Sequence, residues 1–170
     1  MDRFIATTGY VKSERWPARS TWGKPLDQAV IWPKYRGRAD KDRQGDTFGK
    51  LLDDAFAEGG WTINLDEVYY LSMLGLDENM VELWTQGRSN KLPVVAATQK
   101  PAHVPTWMYS MSTHFFLWND PDKRNRDRFR EISGADGDRI GAAVAVLPEH
   151  DVLYVDVRKR VMVRTRAPRL

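Results

Sequence analysis

At 170 residues, with 42% apolar and 29% charged side chains, the chain has the size and make-up of one globular domain able to bury a core. The absence of cysteine excludes disulfides, thiolate metal sites and cysteine nucleophiles; three separated histidines, His103, His114 and His150, argue against a zinc site. The net charge of +3 conceals a segregation, because residues 1–50 carry 11 Lys/Arg against 6 Asp/Glu, residues 51–120 carry 3 against 9, and residues 121–170 carry 12 against 8.

Basic ends flanking an acidic middle suit a polyanion such as nucleic acid, and also an ordinary solvated surface. No stretch of about 18 apolar residues is present to span a membrane. The start, Met1-Asp2-Arg3-Phe4, has no basic region followed by a long apolar run, so a cytoplasmic protein without a signal peptide is expected.

In chain order, Phe4–Thr8 reads as a short strand of branched and aromatic residues. Residues 12–27 are punctuated by Pro17, Gly23 and Pro25 and read as loop. Ala29–Trp32 is a second strand, ended by Pro33. Residues 34–46, with Lys34, Arg36, Arg38, Lys41 and Arg43, read as an exposed basic loop. Phe48, Leu51, Leu52, Ala55 and Phe56 then fall on one face of a helix that Asp46 or Thr47 can cap and Gly59-Gly60 stop. Trp61–Leu65 is a strand ending in Asp66-Glu67.

A short helix follows over about Glu78 to Gln86, with Asp77 as cap, Leu76 and Val81 spaced for a hydrophobic staple, and Gly87 at its end. Pro93–Ala97 is almost wholly apolar, which predicts a central parallel strand buried on both faces. His114–Trp118 is another strand, and Asp120-Pro121 opens a basic helix anchored by Phe129 and Ile132. Ala143–Leu147, Val152–Val157 and Val161–Val163 read as strands joined by tight turns, one at Pro148–Asp151. Alternating strands and helices in the first two thirds predict a parallel α/β sheet, and the last third predicts antiparallel hairpins.

The chemistry concentrates at two strand ends. An apolar strand followed by Asp66-Glu67 has the form of a Walker B motif. A parallel strand holds such residues at the crevice where α/β sheets bind ligands, where one carboxylate can hold hydrated Mg²⁺ and the next can activate a water. The same pattern also occurs as a plain polar turn. Thr98-Gln99, at the tip of the next apolar strand, offers an amide that can reach a phosphate or the attacking water. Arg88, after the short helix, can stabilise phosphoryl transfer in cis or across a subunit contact, or can sit at a helix C-terminus favoured by its dipole.

Leu65-Asp66-Glu67, then Gly87-Arg88, then Ala97-Thr98-Gln99-Lys100-Pro101 resemble, in order and spacing, the FtsK–HerA superfamily of DNA-pumping ATPases. The resemblance covers about residues 48–133. It implies a three-layer P-loop NTPase sheet of the additional-strand class, binding ATP and Mg²⁺, acting on double-stranded DNA and assembled as a homo-oligomeric ring, a hexamer. In those terms Asp66 is the Mg²⁺ residue, Glu67 activates water, Gln99 senses the γ-phosphate and Arg88 is the interfacial arginine. The family has arginine where this chain has Lys100, which keeps the charge and loses the planar fork.

The family's phosphate loop, Gly-x-x-x-x-Gly-Lys-Ser/Thr, does not occur in this sequence. At Gly23-Lys24, Ala18 stands in place of the first glycine and Pro25 in place of the hydroxyl residue. The expectation is therefore one partial domain over residues 1–170, with a core over about 1–133, a sheet incomplete at the N-terminus and a β-hairpin extension over about 140–170. It would be inactive alone. The alternative is a non-enzymatic DNA-binding or assembly subunit on a degenerate NTPase scaffold. Lys34–Arg43, the helix 123–130 and the tail from Arg158 to Arg169 are the candidate DNA contacts.

Overall fold

The computed structural model describes residues 9–18 and 26–166; the strand expected at Phe4–Thr8 and the Gly23-Lys24 segment lie outside them. The chain divides into two compact units, one of residues 1–64 and 70–95, the other of residues 65–69 and 96–170.

In the first unit, β1 (Val11–Ser13) and β2 (Ala29–Ile31) pair in parallel, Val11 opposite Ala29 and Ser13 opposite Ile31. β1 falls where the sequence reads as loop. The helix expected from Phe48 begins earlier, as α1 (Lys41–Glu58), preceded by a 3₁₀ turn at Arg38–Asp40. The polar segment becomes helical because its side chains have partners. Gln44 is buried, donates to the Pro33 carbonyl at 3.1 Å and accepts from the Tyr70 hydroxyl at 2.6 Å. Asp40 receives the Arg36 N–H and the Arg43 guanidinium.

α1 buries Leu52 and Ala55, as its apolar face predicts, and ends at Gly59, whose φ of 70° lies in the left-handed region. A Cβ there would stand 2.7 Å from the Asn90 carbonyl oxygen, so only glycine fits. Trp16 donates its indole N–H to Asp54 and meets Trp61 edge-on, which makes both tryptophans packing anchors. β3 (Ile63–Leu65) begins in this unit, with the Ile63 N–H donating to the Pro93 carbonyl at 2.9 Å.

α2 (Val68–Met73) was not foreseen; α3 (Asp77–Gln86) was, and it buries Met80 and Leu83. The helix starts at Asp77 itself with Leu76 at the cap position and no side-chain cap, which corrects the expected cap at Asp77 and shifts the register on which the Leu76–Val81 staple was drawn; Val81 is 37% exposed. Ser72 and Asp77 instead join across the α2–α3 turn at 2.8 Å. β4 (Val94–Ala96) corrects the expectation of a doubly buried strand, since Val95 is 58% exposed. Among the described residues β4 pairs with β3 alone, which leaves its other edge open.

The second unit contains α4 (Thr106–Met111), β5 (His114–Leu117), α5 (Lys123–Asp127), α6 (Gly137–Ala145), β6 (Asp151–Asp156) and β7 (Val161–Arg166). The last three strands run antiparallel in the order β5-β6-β7, with Phe116 opposite Tyr154 and Tyr154 opposite Val163. Phe129, Ile132, Ile140, Val144, Leu153 and Val155 form the core. The expected strand at Ala143–Leu147 is instead the end of α6 and the turn after it. Five apolar residues carry no period of their own, and the tertiary context decides. Asp136 caps the helix by accepting the Arg139 N–H, and Ile140 and Val144, one turn apart, are both fully buried. Gly137 lets α6 start against the backbone of Arg130, which a Cβ would approach to 2.4 Å.

Asp156 is buried at the end of β6, facing His114 and Tyr154. The Lys159 N–H donating to its Oδ1 holds the carboxyl below the usual carboxylate range, and burial opposes this. The stability this contributes is complete above the unfolded-state value of about 3.9 and is lost as pH falls through the lower native value. Thermal unfolding should therefore show the chain more stable than Asp156→Asn at neutral pH, with the gap closing below about pH 4.

Candidate active site

The residues that leave β3 and β4 meet in the second unit. The Ala97 N–H donates to the Leu65 carbonyl at 2.9 Å and the Val68 N–H to the Ala97 carbonyl at 2.8 Å, which ties the backbone on both sides of Asp66-Glu67 to the end of β4. Between these ties Glu67 adopts φ 53°, a left-handed conformation that costs a non-glycine residue on the order of 1–3 kcal/mol. Such strain persists where the surroundings over-determine it, and here the side chain is held too. Thr98 Oγ1 donates to Glu67 Oε1 at 2.7 Å, and the Gln99 N–H donates to Oε2 at 3.1 Å.

Of the residues singled out from sequence, Glu67 and Gln99 are thus brought together, and Asp66 stands beside them on an exposed turn. Gln99 takes part through its backbone; its side chain is on an exposed residue, not the buried one the apolar strand predicts. Arg88 belongs to the other unit, exposed in the turn after α3, its carbonyl accepting from the Lys91 N–H. Thr98 has no role in the expectations drawn from the sequence, and the structure places it on Glu67. Its signal was a hydroxyl at a strand exit opposite two acids. His103 packs on the Tyr69 ring at 4.8 Å within a short 3₁₀ turn, a structural place in keeping with a loop histidine.

Among the described residues no three acidic or histidine side chains gather to hold a metal. Asp66 is a single exposed carboxylate, and both Glu67 oxygens are engaged. That donor set fits an outer-sphere partner of a hydrated cation such as Mg²⁺, and it does not fit an inner-sphere cage.

Several of the basic side chains pair within the fold while staying exposed, and Arg38, Arg158, Arg160 and Arg166 are exposed as well. Lys34 pairs with Glu14, Arg43 with Asp40, Lys123 with Asp127 and Arg130 with Asp138. Arg126 and Arg128 donate to the carbonyls of Asp120 and Val104, and the Arg128 guanidinium lies over the Tyr109 ring at 5.7 Å. Burial pushes the Tyr109 hydroxyl well above its ordinary value. Arg124 remains exposed on α5. Among the described residues no helix is long and apolar enough to cross a membrane.

The α/β fold is that of viral genome-packaging NTPases. The genome packaging NTPase B204 of Sulfolobus turreted icosahedral virus 2 superposes with a TM-score of 0.64 in its AMPPCP complex and 0.65 in its ATP-gammaS complex. In each case the match has 14% identity and covers 98% of this chain and 88% of that one. In sequence, the DNA packaging ATPase P9 of Enterobacteria phage PRD1 is 29% identical over 112 residues, 64% of this chain and 48% of that protein. The chain thus spans about half the length of the curated relative it matches. No family model matches. These likenesses bear out the resemblance to phage DNA-packaging ATPases.

Proposed function

We propose that this chain carries the water-activating half of an ATPase that packages or translocates double-stranded DNA. The observation that carries this reading is the Glu67 carboxylate, held at the end of a strand by two donors from the end of the neighbouring strand. In this reading Glu67 orients and deprotonates the attacking water, and Asp66 receives the hydrated Mg²⁺ of Mg·ATP, which supplies charge neutralisation at the phosphates. Gln99 senses the γ-phosphate, and Arg88 completes a neighbouring subunit's site in a cytoplasmic ring. A strand, Gly-x-x-x-x-Gly-Lys-Ser/Thr loop and helix outside the residues described would supply the phosphate cradle and complete a three-layer sheet of the additional-strand class. The open edge of β4, which pairs with β3 alone among the described residues, is what such a strand would need.

The test compares two proteins. The chain alone should give no Mg²⁺-dependent ATP turnover above background, because without a cradle neither binding nor positioning is available. The same chain joined to a strand–phosphate-loop–helix segment should bind ATP and turn it over. Turnover by the chain alone, abolished in Glu67→Gln, would place a working cradle within residues 1–25. Failure of the joined protein to bind ATP would overturn the proposal.

A further inference from the structure

We propose that Thr98 is the positioning residue of this site: its hydroxyl, and not the Gln99 side chain, sets where the Glu67 carboxylate stands. The functional meaning rests on the reading of Glu67 above, whereas the geometry is independent of it.

The direction of the hydroxyl is fixed by its neighbours. The Lys100 N–H donates into Thr98 Oγ1 at 3.0 Å. That contact uses the oxygen as an acceptor and leaves its one proton to point elsewhere. The carboxylate oxygen 2.7 Å away is where it goes. The Gln99 N–H can only donate, so both Glu67 oxygens accept from the three-residue segment that follows β4. A hydrogen bond to a charged acceptor is shorter and stronger than a neutral one, and two together fix a carboxylate in plane as well as in place. The backbone ties at Ala97 fix the chain on both sides of Glu67, so the two donors and the carboxylate they hold are set on the same frame. Gln99 enters this arrangement through a backbone N–H that any residue except proline would supply.

Thr98→Val keeps the shape and removes the hydroxyl. In the full chain it should lower the unfolding midpoint by roughly 3–10 °C. Because the hydroxyl also receives the Lys100 N–H, the same substitution is made in a Glu67→Ala background, where the drop should be clearly smaller. Thr98→Ser and Gln99→Ala should stay close to the unmodified chain. In ¹³C-labelled protein the Glu67 carboxyl resonance should move in Thr98→Val and return in Thr98→Ser. Should Thr98→Val not fold, Glu67→Ala read at the Gln99 amide and the Thr98 Cβ serves in its place, and both signals should move.

Equal drops in the two backgrounds, or a Glu67 resonance indifferent to Thr98→Val, would overturn the proposal and leave Thr98 a turn residue acting on Lys100. In a protein that turns over ATP, Thr98→Val should lower kcat on the order of ten- to a hundredfold with KM for ATP unchanged, and Thr98→Ser should restore it. Coupling between Thr98 and Glu67 in a protein whose turnover ignores Glu67→Gln would uphold the positioning and sink the role given to Glu67.

Discussion

Glu67→Gln, in a protein that joins this chain to a phosphate-binding segment, is expected to abolish steady-state ATP turnover while leaving ATP binding intact. Glutamine has the shape of glutamate and can still accept from Thr98, but it cannot take a proton from water. General-base catalysis is worth on the order of 10²–10⁴ in rate, so turnover should fall by that factor. Binding should persist because the phosphates are held elsewhere and Asp66 is unchanged. The amide brings its own N–H₂ opposite the Gln99 N–H, so the loss of rate could come from misplacement as well as from lost basicity. Glu67→Asp separates the two: it keeps the base and shortens the reach, and a partial rate in Asp against none in Gln identifies proton abstraction as the step. Equilibrium nucleotide binding and phosphate release, measured on the same preparations, decide the matter. A rate unchanged in Glu67→Gln would remove Glu67 from the chemistry.

Arg88→Ala is expected to have a still larger effect in an assembled ring. Its guanidinium is permanently charged, planar and exposed in the turn that ends α3, which suits a group that reaches a neighbour's phosphates. Arginine fingers are typically worth on the order of 10³–10⁵ in rate, so turnover by the ring should fall by that factor, with folding and ATP binding by single subunits hardly changed. Arg88→Lys should rescue poorly, because a point charge cannot reproduce the fork. Mixing gives the sharper measurement. Subunits lacking Glu67 but keeping Arg88 should complement subunits lacking Arg88 but keeping Glu67, since one kind of interface in the mixed ring is then complete. No recovery after verified mixing would exclude action in trans and leave Arg88 a contact within its own subunit.

Local pattern sufficed where a period was long enough to be unambiguous. The apolar face of α1 through Leu52 and Ala55 and the helix ending at Gln86 follow from spacing, and the stop of α1 at Gly59 from a conformation that favours glycine. The order of the strands carrying Asp66-Glu67 and Thr98-Gln99 was legible from apolar runs that end in polar residues, and so was the resemblance to packaging ATPases built on it. Short apolar runs were a different matter. Ala143–Leu147 is too brief to show whether its period is two or three and a half, and it became helical because a cap at Asp136 and the burial of Ile140 and Val144 outweighed its strand-like composition. Val94–Ala96 reads as a buried strand by composition, yet Val95 is exposed, because burial depends on which neighbours the sheet provides.

What the sequence by itself determined is the identity and order of the acids, the hydroxyl and the amide at two strand ends. What only the tertiary structure decided is which of them touch. Thr98 and Gln99 meet Glu67 across 31 and 32 residues of chain, and a one-residue slip in the pairing of β3 with β4 would turn these side chains to the opposite face. The left-handed turn at Glu67 is likewise invisible to composition, since glutamate has no preference for it. It exists because two backbone ties and two side-chain hydrogen bonds, formed only when both strands are in place, together exceed its cost.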